Sequence, residues 1–287
     1  MESSERDQEE ATSESAKKLQ EYEATVAQQN AIQEEIKKAQ PLVGKAVSPS
    51  ALSPEYTDNV KPGFLKGIEY LSKRYARLRP VRGDGNCFYR ALTFALLENL
   101  VLKLRSGDAA AAQAAKAEAQ RLVDKGKPMK ESCQTLLSLG YEEVSFDMFS
   151  AELLEALEGI ETTTPESLEA KFNEDGGSGE YIMWFCRLLT SAFIKSHPSR
   201  FESFLIGDTV DTFCAREVEP LGVECEQLQI IALCEQLDIG VRIEYLNGED
   251  FDASKGLDAV PVNMDGRQEA AAELLFRPGH YDILYTA

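Results

Sequence analysis

Apolar positions change their spacing along the chain. Over residues 16–39 a thin stripe of Leu19, Tyr22, Val26, Ile32 and Ile36 interrupts polar sequence, and the pair Ile32 and Ile36 shares one helical face. Pro41 ends that helix. Residues 66–77 carry Ile68, Leu71 and Tyr75 on one side and predict a second helix. From Asn86 to about Leu104 the apolar positions are denser: Phe88, Ala91, Leu92, Phe94, Ala95, Leu96, Leu97 and Leu100 leave almost no polar face, so this helix is expected inside the protein. Further helices are expected over 108–122, which is rich in alanine, and over 131–139, 145–157, 165–172, 180–196, 210–217 and 224–237. Pro165 suits a first helical position, with Thr164 as its cap. The period then shortens to two. Val241, Ile243 and Tyr245 alternate within 239–246, and 260–262, 273–276 and 281–285 read as further strands. Helices followed by a cluster of strands predict an α+β fold, because alternating βαβ units would interleave the two patterns.

Three stretches follow from composition. Residues 1–20 are polar and rich in Glu, and read as a disordered acidic arm. Residues 21–55 hold the thin helix and a Pro/Ser stretch, 48–54, that reads as a linker, so the compact domain is expected over 56–287. No apolar run approaches the ~18 residues of a membrane span. The first forty residues lack the apolar core of a signal peptide, which predicts a cytoplasmic or nuclear setting. Thirty basic residues against 49 acidic ones leave a net charge of −19, which argues against nucleic acid or an anionic membrane as partner. It suits a cationic partner, or solubility alone. Six cysteines without a C-x-x-C pair, and only two histidines, give no zinc spacing; no glycine-rich phosphate loop is present, so no metal and no cofactor is expected.

Two short segments carry candidate chemistry. In Gly83-Asp84-Gly85-Asn86-Cys87-Phe88, a glycine-flanked turn delivers Cys87 to the start of the buried helix. The free amides and partial positive charge of a helix N-terminus favour a thiolate and can also donate to an oxyanion. The same segment also reads as a helix cap beside a packed cysteine. In Pro278-Gly279-His280-Tyr281-Asp282, a Pro-Gly turn opens a strand. His280 and Asp282 then share a face about 7 Å apart, where a carboxylate can hold an imidazole tautomer. A core or surface histidine is the plain alternative. His197, followed by Pro198, reads as a helix-end or surface residue. Taken together, Cys87, His280 and Asp282 have the residue types of an acyl-transfer site of the papain-like kind, with a helix-borne cysteine and a strand-borne histidine.

Asp84-Gly85-Asn86-Cys87-Phe88-Tyr89-Arg90-Ala91 resembles the nucleophile motif of the ovarian-tumour (OTU) deubiquitinases. Gly279-His280-Tyr281-Asp282-Ile283-Leu284-Tyr285 resembles the closing motif of the otubains within that group, and Arg187-Leu188-Leu189-Thr190-Ser191, Glu217-Val218-Glu219-Pro220 and Ile230-Ile231-Ala232-Leu233 extend the resemblance from about Ile32 to the end. The resemblance implies a papain-like OTU fold and a ubiquitin thioesterase or isopeptidase, favouring 48-linked polyubiquitin. Cys87 would attack the carbonyl of ubiquitin's C-terminal glycine, His280 would act as base and then acid, Asp282 would orient His280, and the backbone of Asp84 would shape the oxyanion hole. Ile231, Tyr245, Asn247, Phe276 and Tyr281 match ubiquitin-contact positions; ordinary core and strand packing is the alternative for them. Ile32 and Ile36 match a stretch that helps bind the proximal ubiquitin and ubiquitin-conjugating enzymes, and the resemblance also admits a regulator that restrains those enzymes without catalysis. Gly83 stands where otubains often carry proline, and the alanine-rich stretch 109–119 has no counterpart in the pattern.

Overall fold

A five-stranded mixed sheet, four of its strands from the C-terminal part of the chain and one from residues 77–79, is packed by helices on both faces. The computed structural model describes residues 38–58, 61–132, 143–249, 251–252, 255–267 and 269–286, with Ala24, Gln28 and Glu35 before them; side chains are described except over 127–132 and 143–146. The chain divides into two units, Met1–Pro41 and Leu42–Ala287. The described positions of the first unit up to Ala39 are helical. Ile32 and Ile36 lie outside the described residues, as do residues 133–139 of the helix expected over 131–139.

In the second unit the helices are α1 (Gly63–Arg74), α2 (Cys87–Arg105), α3 (Ala109–Ser132), α4 (Glu143–Glu158), α5 (Pro165–Asn173), α6 (Ser178–Ser196) and α7 (Gln227–Leu237). The strands are β1 (Arg77–Arg79), β2 (Val241–Tyr245), β3 (Asp258–Val262), β4 (Ala272–Arg277) and β5 (His280–Tyr285). They lie in the order β1-β5-β4-β2-β3; only the β2–β4 pair is parallel. This is the α+β architecture expected from the two spacings.

Both faces of the sheet are covered. Val241, Ile243, Leu274 and Ile283 join the main core around α2, while Leu78, Leu246, Leu275 and Leu284 pack on α1 in a second cluster. α2 is buried on nearly every side, as its apolar density demands, and it touches the sheet, α3, α5 and α6. The polar exceptions are paired. Arg79 of β1 reaches Glu98 of α2 at 2.7 Å and Glu169 of α5 at 3.0 Å, tying the sheet edge to two helices. At the start of α5 the Thr164 hydroxyl accepts from the Ser167 amide at 3.1 Å, and Ser167 caps Thr164 in return.

Three expectations need correction. The compact unit begins at Leu42, earlier than the boundary at 56. Leu42 and Val43 are buried, Val43 and Val47 bridge Val81 and Leu78, and the supposed linker is a 3₁₀ segment, Pro49–Tyr56, that buries Leu52. Pro and Ser set the local composition, but apolar residues between them reach distant partners. The helix expected over 66–77 starts at Gly63 and stops at Arg74. Tyr75 is extended, and Arg77–Arg79 pairs with Ile283–Tyr285 as an edge strand too short for its own signal. The helix expected over 210–217 is a single turn, Val210–Phe213, that widens into a π turn, Cys214–Val218.

The weight carried by α2 gives a direct expectation. Leu92 is fully buried, so Leu92→Ala is expected to lower unfolding stability by about 2–5 kcal/mol, seen as a lower denaturant midpoint at unchanged slope.

Candidate active site

The nucleophile segment is held by charge and close contact. Gly85 has φ +75°, and a Cβ there would lie 2.1 Å from the Gly222 carbonyl oxygen, so only glycine lets these two loops touch. The Asp84 carboxylate takes a fork of two bonds from buried Arg90, at 2.9 and 2.8 Å, and a third from the Asn86 amide at 3.0 Å. Its oxygens are therefore occupied in fixing the turn. Asn86 accepts through Oδ1 from the Gly222 amide and from Arg187, both at 2.9 Å.

Arg187 is the cross-brace of this region. It is wholly buried in α6 and lies over the Tyr89 ring, 4.5 Å from its centroid. Its guanidinium donates to the carbonyls of Gly85 at 2.9 Å, Val218 at 2.9 Å and Val223 at 2.6 Å, joining the nucleophile turn to the 218–223 loop. Burial holds its pKa below the ordinary arginine value. An arginine within the apolar run Phe185-Cys186-Arg187-Leu188-Leu189 was the available signal for a buried acceptor cluster; the sequence reading used it only as a motif match. Arg90 was overlooked in the same way.

Cys87 is the first residue of α2 and is nearly buried. His280 opens β5 after a two-residue turn in which Gly279 has φ +72°, the conformation a Pro-Gly type II turn needs. His280 Nε2 meets Asp282 Oδ1 at 2.9 Å, which leaves Nδ1 for the neighbouring Cys87 thiol, whose proximity helps to raise the imidazole pKa. Asp282 is fully buried. Its Oδ1 also accepts from the Val81 amide at 3.0 Å, and its Oδ2 accepts from Arg277 Nε at 3.0 Å and Nη2 at 2.9 Å. Burial pulls the His280 pKa down, but the Asp282 hydrogen bond and the neighbouring Asp282 and Cys87 groups outweigh it, raising it to about 9. Burial pushes Asp282 up; the hydrogen bond and charge of His280, with Arg277 and the Val81 amide, hold it below the usual carboxylate value.

A cleft of about 310 Å³ opens beside Cys87. Tyr245, Phe276 and Tyr281 form one wall, the rings of successive strands lying 4.9 and 5.2 Å apart, and Tyr281 continues edge-on to Phe88. Exposed Glu224 and Glu226 also line it. Of the five expected contact residues, these three aromatics therefore gather at Cys87. Ile231 packs against the main core from α7, and Asn247 accepts from the Glu249 amide within its own loop. Cys225 shares the cleft, but burial drives its thiol far above the ordinary value, as it does Cys186 and Cys234 to about 12 and Cys214 to about 11. Cys133 lies outside the described residues. Among the described cysteines, Cys87 is the one close enough to His280 to raise the imidazole pKa directly.

Residues 35–286 match the family model described as Peptidase C65 Otubain. The chain belongs to the otubain family. It is 36% identical over 267 residues to ubiquitin thioesterase OTUB1 of Homo sapiens, covering 92% of this chain and 90% of that one. It is 36% identical over 280 residues to the ovarian tumor domain-containing deubiquitinating enzyme 1 of Arabidopsis thaliana, covering 91% and 86%. Among solved structures, the h/ceOTUB1–ubiquitin aldehyde–UBCH5B~Ub complex matches with a TM-score of 0.80 at 32% identity, covering 93% of this chain and 99% of that one.

The raised His280 pKa sets a pH dependence. Its folded value of about 9 lies above the ~6.5 of an unfolded histidine, so the stability it adds is complete below pH ~6.5 and is lost as pH rises through about 9. The melting-temperature advantage of wild type over His280→Gln is expected to shrink steadily across that window.

Proposed function

We propose that this chain is a cysteine deubiquitinase in which Cys87, His280 and Asp282 form the catalytic triad. The observation that carries the reading is a thiol at a helix N-terminus beside an imidazole that is itself hydrogen-bonded to a buried carboxylate. The raised His280 pKa suits the imidazole to take and hold the proton of the attacking thiol. Cys87 Sγ attacks the carbonyl carbon of ubiquitin's C-terminal glycine. The oxygen becomes negative and accepts from backbone amides at the Cys87 end of α2, which lack intrahelical acceptors. His280 then protonates the leaving lysine amine, and a thioester remains on Cys87. Water, deprotonated by His280, attacks that thioester, the C–S bond breaks, ubiquitin leaves with a free C-terminal carboxylate, and Cys87 is regenerated. Asp282 keeps the imidazole in register throughout. Asp84 acts through the backbone, its carboxylate engaged by Arg90.

The cleft supports the substrate class. A tail ending Leu-Arg-Gly-Gly is thin enough at its end for an aromatic-walled groove and cationic enough for one edged by Glu224 and Glu226 in a chain of net charge −19. Tyr245, Phe276 and Tyr281 are the proposed tail contacts; Ile231 and Asn247, away from the cleft, would meet the body of ubiquitin. A preference for 48-linked chains is part of the proposal and rests on the otubain motifs. A second reading, a ubiquitin-dependent regulator of conjugating enzymes, is favoured by the E2–ubiquitin conjugate in the complex this chain resembles, with Ile32 and Ile36 as the proposed partner contacts.

Cleavage of 48-linked and 63-linked di-ubiquitin by wild type and Cys87→Ala separates the readings. The proposal expects wild type to cut the 48-linked dimer preferentially and the variant to cut neither. A folded wild type that binds ubiquitin and cuts neither linkage would leave the regulator reading.

A further inference from the structure

The proposed triad does not end at Asp282. Arg277, the last residue of β4, grips Asp282 Oδ2 with two N–H groups, and its third nitrogen, Nη1, donates outward to Glu55 at 2.6 Å and to the Tyr56 hydroxyl at 3.4 Å. Those two residues end the 3₁₀ segment, Pro49–Tyr56. The segment is itself anchored: Leu52 is buried, and the Tyr56 ring stacks on Phe64 of α1 at 4.4 Å. Arg277 thus joins a packed element outside the catalytic motifs to the carboxylate that holds His280.

We propose that Arg277 is a positioning residue that fixes the rotamer and ionisation of Asp282, and that Glu55 and Tyr56 hold Arg277 in place for that task. The inference rests on reading Cys87, His280 and Asp282 as the triad. A carboxylate has two oxygens and a soft terminal torsion. With Oδ1 shared between His280 and the Val81 amide, the fork on Oδ2 is what stops the group from rotating away from the imidazole. The cation also keeps a buried carboxylate charged. The titratable and charged groups that face the cluster are His280 and Asp282 on β5, Cys87 on α2, Glu55 and Tyr56 on the 3₁₀ segment, and Glu224 beside Gly279. Lysine at 277 keeps the charge and loses the fork, so charge and orientation can be separated.

The test uses the full chain and ubiquitin carrying a C-terminal fluorogenic amide, with kcat and KM measured from pH 5 to 10. Arg277→Gln is expected to lower kcat by about 10- to 100-fold with KM little changed. The acid limb of its kcat/KM profile is expected to move up by about one pH unit, because Asp282 then takes a proton more readily. Arg277→Lys should restore the acid limb while kcat stays below wild type. Glu55→Gln should lower kcat more mildly, and add nothing further in the Arg277→Gln background. Should Arg277→Gln fail to fold, the Arg277→Lys and Glu55→Gln profiles carry the test. Wild-type kcat and acid limb in a folded Arg277→Gln, or in both of the other variants, would overturn the proposal, as would a rise in KM alone, which would make Arg277 a substrate contact. Activity in Cys87→Ala would instead mark failure of the triad reading itself.

Discussion

A carboxylate carried out of water must find a donor for each oxygen or lose its charge, and Asp282 meets that demand from three separate parts of the chain. His280 donates from its own strand, Arg277 from the neighbouring strand end, and the Val81 amide from just beyond β1. The Arg277 and Val81 donors are in place only if the sheet has its native order, β1 beside β5 and β5 beside β4. The site is therefore a product of the whole sheet. Asp282 accepts two N–H groups on Oδ1 and the Arg277 fork on Oδ2, so His280 meets a charged and stationary partner. That charge, with the Cys87 thiol, is what lifts His280 against the pull of its own burial.

The thiol side is built on the same logic. Cys87 must stand at the first turn of a helix that is itself buried, which brings the preceding loop inside the protein. Its backbone carbonyls then need donors. Arg187 supplies them for Gly85, Val218 and Val223, and Asn86 takes up the Gly222 amide. The Asp84–Arg90 fork closes the turn from the other side. Two buried arginines thus hold two glycine-bearing loops in contact, and the cleft beside Cys87 is bordered by that contact.

How much of this the residues disclosed depended on the range of the interaction. The spacing of Phe88 to Leu100 disclosed a buried helix, and the alternation of Val241, Ile243 and Tyr245 disclosed a strand, because both signals are local. The i,i+2 placement of His280 and Asp282 is equally local, and the two side chains do meet. The shared wall of Tyr245, Phe276 and Tyr281 follows from strand register, which local spacing did not show; the resemblance to otubains marked only the positions. Arg277 was visible only as the residue before the Pro-Gly turn; its partners lie 222 positions away at Glu55 and five positions on at Asp282. The start of the compact unit at Leu42 was hidden for a similar reason: Val43 and Leu52 find their cores far along the chain, while Pro and Ser dominate their own neighbourhood. β1 is three residues long and carries no periodicity of its own.

The central claim is that Cys87, activated by His280, is the group that reacts with a ubiquitin C-terminus. The most direct measurement is peptide mapping by mass spectrometry after the full chain meets ubiquitin bearing a C-terminal thiol-reactive electrophile. The account predicts a single adduct on Cys87, formed by wild type and strongly slowed in His280→Gln. Cys225 borders the same cleft with an unactivated thiol. An adduct on Cys225, or an equally fast adduct on Cys87 without His280, would contradict the account.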